Sequence, residues 1–381
     1  MNEIMSIVFW SCAGLVVYVY AGYYLCLRLL YAFRTVRVAF DPGYFPKVSV
    51  IVTSLNEERN IEARIKNLLE LDYPDDKLEI IIGSDGSTDR TVEIASRYVG
   101  QGVVVHDFKV NRGRAAVHND SVRSATGEIM VFTDAETSFD RGFLRQVVKY
   151  YADPKVGAVS GSLTYISRGN EFASAEGFYF KFEKMLRNLE SRVGILTSGT
   201  GACFTIRKSL YRELPGTEDV DFALPIDCIK KGFRAHIEPE AVAYDFPPGT
   251  VKGVMKARSR MTAKAFSGLM RLCGLTFWFK HPMAGWGLMS RKILRWFTGF
   301  FMAGALVTNV ALAGHGGIYT LALMLQAAFY GLYVAGWALN RAGMQARLPS
   351  WAFIFVTANV GMSLGILKAL TGRVPSSYKR V

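Results

Sequence analysis

The fold class of this chain follows from VSVIVTSL at residues 48–55 and NEERNIEARIKNLLEL at residues 56–71. The first stretch is a short run of β-branched and apolar residues, which predicts a buried strand. The second carries Ile61, Ile65 and Leu68 at helical spacing, which predicts a helix with one buried face. A buried strand that leads directly into such a helix is typical of an α/β domain.

Three more strand patterns follow, namely LEIIIGSD at 78–85, VVVHDF at 103–108 and EIMVFTDAE at 128–136. Strands that alternate with helices predict a mostly parallel, Rossmann-like sheet with helices on both faces. We expect this α/β domain to span residues 45–255. Ligands of such sheets bind beyond the carboxyl ends of the strands, so the residues that follow each strand are the candidates for function.

Composition and charge narrow the possible partners. Half of the 381 residues are hydrophobic and the formal net charge is +13. A soluble protein of this length is usually more polar, so we expect membrane segments. The chain has no basic tail or RNA-binding signature, so no nucleic-acid partner is expected. An anionic membrane surface and phosphate-bearing substrates account for the positive charge.

The distribution of apolar segments predicts a membrane protein. Residues 5–27 carry no charge and are long enough to cross a bilayer. Positive residues follow them at Arg28, Arg34 and Arg37, which predicts a cytoplasmic location for the next domain. We divide the chain into a transmembrane helix at 5–27, the cytoplasmic domain at 45–255, a basic and aromatic interfacial region at 256–295, transmembrane helices at 296–314, 318–339 and 348–367, and a basic tail at 368–381.

The tail conflicts with this topology. Four full spans place the C-terminus outside, yet the tail holds Arg373, Lys379 and Arg380. Either the last apolar segment does not cross completely, or the chain departs from the positive-inside rule. We favour three full spans after the domain and an inner, plasma-membrane location.

Two carboxylates, Asp134 and Glu136, leave the end of the fourth predicted strand. Carboxylates at this spacing can approach one hard cation, and Mg²⁺ or Mn²⁺ prefers oxygen ligands such as these and a diphosphate. Taken alone, an acidic pair after a strand is more often a solvated loop or a helix cap.

Other polar residues follow the remaining strands. Asp85 after the second strand can accept a hydrogen bond from uracil or ribose, and the neighbouring Gly83 and Gly86 are expected to let the backbone approach a ligand. Asn56 and Glu57 follow the first strand and can bind the same nucleotide, although Asn56 can equally cap the helix.

A basic turn, Asn111-Arg112-Gly113-Arg114, follows the third strand. An arginine there can bind a diphosphate with two parallel hydrogen bonds. By itself the turn is more often a solvated surface feature. Together the four sets lie on one edge of one sheet, which chance placement does not explain.

With these motifs in this order, the chain resembles a family 2 glycosyltransferase with the GT-A fold. The matching segments are VSVIVTSLNEE, IIGSDGSTDRT, NRGRAAVHNDSVRSATGE, VFTDAE, SGTGACFTIRKSLY and TEDVDFALPIDCIKKG, which cover residues 48–232. The resemblance implies that the nucleoside is held by Thr53, Asn56, Glu57 and Asp85. It places Arg114 where the family usually has lysine. Asp134 and Glu136 match the family's DxD metal motif, whose last residue is usually aspartate.

The resemblance also implies a catalytic base in Glu218-Asp219-Val220-Asp221, because the acceptor hydroxyl must lose a proton. A TED-like alignment gives Asp219, which we favour, and a related subgroup gives Asp221. Either residue can instead be the N-cap of a helix. Gly201, in the Ser198–Gly201 turn, is expected to bring backbone near the acceptor.

One departure from the processive members of the family is informative. Where they carry QxxRW, this chain has Lys256-Ala257-Arg258-Ser259-Arg260-Met261. Arg258 and Arg260 remain as candidates for binding the diphosphate, or lipid headgroups, whereas the tryptophan that stacks the growing polymer is missing. We therefore expect inverting transfer of one hexosyl unit per cycle, from a nucleotide-sugar that is expected to carry UDP, to a lipid-linked or glycan acceptor. A processive synthase and a non-catalytic nucleotide-sugar sensor stay open as alternatives.

Overall fold

The computed structural model describes residues 2–166, 171–246, 251–344 and 346–373. Its centre is one eight-stranded mixed sheet in the order β3-β2-β1-β4-β7-β6-β8-β5. The strands of the described ranges are β1 (Val48–Ser54), β2 (Leu78–Asp85), β3 (Val103–Phe108), β4 (Ile129–Asp134), β5 (Ser138–Phe139), β6 (Val156–Tyr165), β7 (Phe204–Arg207) and β8 (Arg234–Asp245).

Helices surround this sheet and continue beyond it at both ends of the chain. In the described ranges they are α1 (Asn2–Phe33, with an internal π turn), α2 (Ile61–Leu69), α3 (Thr91–Ser96), α4 (Arg114–Ser124), α5 (Phe143–Val148), α6 (Glu171–Val193), α7 (Val220–Lys230), α8 (Val251–Leu272), α9 (Leu275–Lys280), α10 (Pro282–Trp296), α11 (Thr298–Ala311), α12 (Gly317–Arg341) and α13 (Arg347–Leu370).

The four strands expected from sequence form the parallel half of the sheet, in the order β3-β2-β1-β4. The fourth ends at Asp134 rather than residue 136. The other half is not parallel throughout, because β7 runs antiparallel to both β4 and β6. Since all four parallel strands end at one edge, their following loops converge there.

Alternate residues of β1 pack on opposite faces of the sheet. Val50 and Val52 lie in the same buried cluster as Ile61 and Ile65 of α2. Ile51 points to the opposite cluster, which contains residues of α4, α7 and α8. Both faces are therefore covered, as the apolar run of β1 predicts.

Three described helices are long and apolar enough to cross a membrane, namely α1, α12 and α13. A fourth candidate is the pair α10 and α11, which is bent by 58°. The expected span at 296–314 differs from the structure in its bounds, because α11 has only 14 residues and a helix needs about 20 to cross the hydrocarbon core. A crossing here would use the bent pair of α10 and α11.

The expected interfacial region at 256–295 also differs from the structure. Helix α8 begins at Val251, so the expected boundary at residue 255 falls inside a helix. The region then contains three helices rather than one amphipathic segment. Lys379 and Arg380 of the expected tail lie outside the described residues, whereas Arg373 follows the end of α13.

Candidate active site

A shallow cleft that is open to solvent lies at the carboxyl ends of β1, β2 and β4. The cleft is lined by Thr53, Ser54, Leu55, Glu57, Asp85, Arg114, Asp134, Ala135 and Glu136. The parallel half of the sheet thus brings together residues that are up to 83 positions apart, from Thr53 to Glu136.

Asp85 connects the cleft to the start of α4. Its Oδ1 accepts the backbone N–H of Arg112 at 2.8 Å and its Oδ2 accepts that of Gly113 at 2.9 Å. The carboxylate is buried, and each oxygen keeps a second lone pair for a ligand. Asp85 therefore both orients the basic turn and presents acceptors to the cleft.

The two glycines beside Asp85 have packing roles in the structure. A Cβ on Gly83 would lie 2.3 Å from Cγ1 of Val117 in α4, so this glycine lets the helix approach the sheet. Gly86 has a φ of +76° and lies against the backbone of Asn111. Both positions thus set the relation of β2 to α4 and its preceding turn.

Asn56 lies outside the residues that line the cleft. It adopts a φ of 56°, and its Oδ1 accepts the Thr88 backbone N–H at 2.8 Å. It does not cap α2, because the N-cap of that helix is Asn60. Glu57 does line the cleft, and its Oε2 accepts a hydrogen bond from Asn60 at 2.7 Å.

Asp134 and Arg114 form an ion pair inside the cleft, with Arg114 Nη2 2.9 Å from Asp134 Oδ1. Arg114 is the first residue of α4 and Asp134 is the last of β4. Behind them, Arg64 is buried and donates to Thr133 at 2.8 Å. Burial lowers the pKa of Arg64 to about 9, against the opposing effect of the Asp134 charge.

Sequence reasoning missed Arg64, because an arginine on the buried face of a helix is indistinguishable from a surface residue without the contacts. Its only sequence signal is that it interrupts the apolar side of α2, between Ile61 and Ile65.

The donor chemistry of Asp134 and Glu136 fits a hard divalent cation. Both carboxylates line the cleft, and oxygen ligands are those that Mg²⁺ and Mn²⁺ prefer. Among the described residues there is no group of three or more His, Cys, Asp or Glu side chains placed to hold a metal. The pair fits a cation whose remaining ligands come from a diphosphate and water, rather than a cation held by protein alone.

The two candidate bases lie at the start of α7. Asp219 is its N-cap residue, but its side chain makes no capping hydrogen bond. Instead, Asp219 Oδ1 lies 3.3 Å from Nζ of Lys264 on α8, and the Asp219 side chain is 35% exposed. Asp221 lies in the first turn, where burial and then the charge of Asp219 raise its pKa to about 6.

Gly201 lies beside Asp221. A Cβ on Gly201 would come within 3.5 Å of the Asp221 carboxylate carbon, and the backbone N–H of Gly199 donates to the Asp221 carbonyl at 2.7 Å. Arg187 of α6 donates to the Gly199 carbonyl at 3.2 Å and to the Thr200 hydroxyl. The turn is therefore fixed between α6 and α7, next to a candidate base.

The structure separates Arg258 from Arg260. Arg258 packs beside α13, since a Cβ on Gly361 would lie 3.3 Å from Arg258 Cβ. Arg260 is one helical turn before Lys264 and therefore shares the side of α8 that faces α7. The Cβ atoms of the two arginines consequently leave α8 on different sides, and binding of the diphosphate by Arg258 or Arg260 stays a prediction.

Arg114 connects the cleft with the candidate bases. It pairs with Asp134, and its positive charge lowers the pKa of Asp221 against the dominant effect of burial. Asp85, Asp134 and Asp221 are thus arranged around the start of α4, on one side of the domain.

This arrangement can be compared with known proteins. The model of the glycosyl transferase family 2 matches residues 49–214. The chain contains a family 2 glycosyltransferase domain. The mannosyltransferase PcManGT from Pyrobaculum calidifontis, whose structure is a complex with GDP-Man and Mn²⁺, has the same fold, with a TM-score of 0.74 and 24% identity over 98% of this chain and 99% of that one. The expected GT-A fold flanked by apolar helices is confirmed.

Two curated relatives are similar to part of this chain. A poly-beta-1,6-N-acetyl-D-glucosamine synthase of Staphylococcus epidermidis is 25% identical over 252 residues, which are 62% of this chain and 59% of that protein. The probable glycosyltransferase YdaM of Bacillus subtilis is 27% identical over 229 residues, which are 56% and 54%. The matches thus span little more than half of each relative. The family model ends before Asp219, so the choice of base rests on geometry and chemistry.

Proposed function

We propose that this glycosyltransferase moves a single sugar from a nucleoside-diphosphate sugar to an acceptor at the membrane, with inversion at the anomeric carbon. The main support for this proposal is the Arg114–Asp134 ion pair. Its arginine is suited to binding phosphate, its carboxylate is suited to binding a metal ion, and both line one cleft. Candidate bases lie on the neighbouring helix, as direct displacement requires.

The donor would bind along the ends of the parallel strands. Thr53, Glu57 and Asp85 face the cleft and would hold the nucleoside, with Asn56 supporting the adjoining turn. Arg114, at the first turn of α4, would bind the diphosphate, where the helix N-terminus also favours negative charge. We propose uridine as the first nucleoside to test.

Asp134 and Glu136 would hold Mg²⁺ or Mn²⁺ together with the diphosphate. The cation would neutralise negative charge on the departing nucleoside diphosphate. The Asp134 carboxylate now pairs with Arg114, so ligating a cation would release the guanidinium towards the phosphates. The Mn²⁺ named for the mannosyltransferase is consistent with this cofactor class.

We assign the base to Asp219 and keep Asp221 as the alternative. Asp219 is partly exposed and makes no capping bond, so its second oxygen can accept a proton from an acceptor hydroxyl. Burial and the charge of Asp219 raise the pKa of Asp221 to about 6, close to the neutral pH at which a general base is most effective. Substituting each by asparagine separates the two assignments.

The acceptor would be a lipid-linked glycan or a membrane-proximal glycan that reaches Gly201 and Asp219 from the bilayer. Three helices with the length and apolarity of spans support an integral membrane protein. We propose that the domain faces the cytoplasm at the inner membrane, because arginines follow the first apolar helix. Contact with membrane lipid would concentrate such an acceptor near the site.

The function is tested with purified full-length protein in vesicles of bacterial polar lipid extract. UDP-glucose, UDP-N-acetylglucosamine and GDP-mannose would each be supplied with Mn²⁺ or with EDTA, and release of nucleoside diphosphate and sugar incorporation into lipid measured. We expect one donor to be used, only with the cation, and one sugar to be added per acceptor. Long products would establish a processive synthase, and tight binding without turnover would establish a sensor.

A further inference from the structure

Helix α8 carries a buried lysine, Lys264, that no sequence motif predicts. Lys264 is only 8% exposed at its side chain, although lysine is rarely buried without a partner. Its ammonium lies 3.3 Å from Oδ1 of Asp219. Keeping a lysine charged at such a position costs free energy that a neighbouring anion must offset.

The same ammonium is also close to the donor side of the site. His118 lies on α4, one turn after Arg114, and is buried. Burial, followed by the charges of Arg114 and Lys264, lowers the pKa of His118 well below its usual range. The charge of Lys264 therefore reaches His118 on α4 as well as Asp219 at the start of α7.

Close packing on two sides fixes the backbone of α8 near Lys264. A Cβ on Gly365 of α13 would come within 2.6 Å of the Ser259 carbonyl oxygen and 2.7 Å of Thr262 Cβ. Towards α7, a Cβ on Gly268 would lie 3.3 Å from Cγ of Glu218. Because α8 is held on both sides, the position of its ammonium is well defined.

We propose that Lys264 is a positioning residue that holds the Asp219 carboxylate in the orientation needed to receive the acceptor proton. One oxygen of Asp219 is bound by the ammonium, which leaves the other directed to the acceptor. Lys264 acts on the proton-transfer step and not on binding of the donor. The inference rests on the proposed function and on Asp219 as its base.

The test compares Lys264→Met and Lys264→Arg in full-length protein in lipid vesicles, using the donor that the wild type accepts. We expect Lys264→Met to lower kcat by about 10- to 100-fold, which is less than the roughly 10²- to 10⁴-fold contribution of the base itself. The KM for the donor and the Kd for its nucleoside diphosphate should stay within about twofold of wild type. Lys264→Arg should recover part of the lost kcat, because it restores a cation that can bind the Asp219 carboxylate.

A matched control is Arg271→Met. Arg271 lies on the same helix and donates to the Thr217 hydroxyl at 2.7 Å, so it ties α8 to the same segment without touching Asp219. It should keep the wild-type kcat. Equal losses in Arg271→Met and Lys264→Met would show general loosening of α8 and overturn the proposal.

A double-substitution cycle distinguishes this inference from the proposed function. If Lys264 acts through Asp219, adding Lys264→Met to Asp219→Asn should lower kcat no further. Additive losses, or a Lys264→Met variant with wild-type kcat, would overturn the positioning role while leaving transferase activity intact. Wild-type protein that turns over none of the donors would instead refute the proposed function.

Discussion

Arg114 is the cleft residue that we propose changes its partner during the reaction. It pairs with Asp134 in the structure, 2.9 Å away, and lies where a diphosphate would reach the start of α4. An arginine offers planar, bidentate geometry to phosphate that a lysine cannot reproduce. Its substitution should therefore affect nucleotide binding first.

We expect Arg114→Met to weaken binding of the nucleoside diphosphate about tenfold, or about 1.4 kcal/mol. Calorimetric titration in detergent measures this Kd directly. The control is Arg112→Met, because the Arg112 side chain pairs with Asp120 at 2.5 Å on the exposed side of the turn. If both variants bind like wild type, the diphosphate lies elsewhere.

Asp221 predicts a pH effect on stability. Its pKa is raised to about 6, above the ordinary value of about 3.9, so the folded protein binds this proton more tightly than the unfolded chain. The group therefore destabilises the fold above pH 6, and this cost is relieved as the pH falls from 6 towards 4. Asp221→Asn removes the cost at every pH.

We accordingly expect Asp221→Asn to be more stable than wild type at pH 7.5, by roughly 1–2 kcal/mol after allowing for partial solvent screening. The difference in Tm should shrink at pH 5. Asp76→Asn, on an exposed turn, should leave Tm unchanged at both pH values. A variant less stable than wild type at pH 7.5 would contradict the buried, proton-binding carboxylate.

Helix α13 has the composition of a membrane-spanning helix, yet it packs against the helix that carries Lys264. Although it is long and apolar enough to cross a bilayer, 61% of its most apolar window is buried within the protein. Gly361 and Gly365 let it approach the backbone of α8, which carries Lys264. Small residues at this spacing are typical of closely packed helices in membranes.

Gly365→Leu should therefore displace α8, lower Tm and reduce turnover at least tenfold, since overpacking costs about 1–3 kcal/mol and moves the catalytic helix pair. Gly331→Leu on α12 is the matched control, because a Cβ at Gly331 meets nothing within 4 Å. Turnover and Tm would be measured in the same lipid vesicles. Wild-type behaviour of Gly365→Leu would show that the α8–α13 contact is not needed.

The sequence predicts the elements of the parallel half well, for a physical reason. β1, β2 and β4 are buried on both faces and so appear as continuous apolar runs, each followed by polar residues at one edge. By contrast, Asp219 binds Lys264 across 45 positions, and Arg64 lies behind Asp134 through a tertiary contact. Neither has a local signature, because the partner is supplied by packing.

In the membrane region, too, the sequence predicts some features and not others. Hydropathy identifies α1, α12 and α13 by length and apolarity. It does not reveal that residues 296–314 contain a short helix after a 58° bend, because a bend changes direction without changing composition. The separation of Arg258 from Arg260 likewise follows from helix geometry, once both are placed in one continuous helix.

Across the whole molecule, the apolar helices predict how the chain crosses the membrane. The turn at His315 and the turn at Ala342 flank α12 and should lie on opposite sides of the membrane, with Ala342 on the side of the catalytic domain. A membrane-impermeant maleimide should label Ala342→Cys only in inside-out vesicles and His315→Cys only in intact cells. Labelling of both from one side would show that α12 does not span.

The central claim is that one cleft binds the donor through Asp134 while a separate carboxylate, Asp219, performs the proton transfer. Parallel measurement of nucleoside-diphosphate affinity and of kcat in Asp134→Asn and Asp219→Asn, with Mn²⁺ present, tests it most directly. We predict that Asp134→Asn loses both affinity and turnover, whereas Asp219→Asn keeps its affinity within about twofold and loses at least about 100-fold in kcat. Wild-type turnover in Asp219→Asn, or unchanged metal-dependent affinity in Asp134→Asn, would contradict this division of roles.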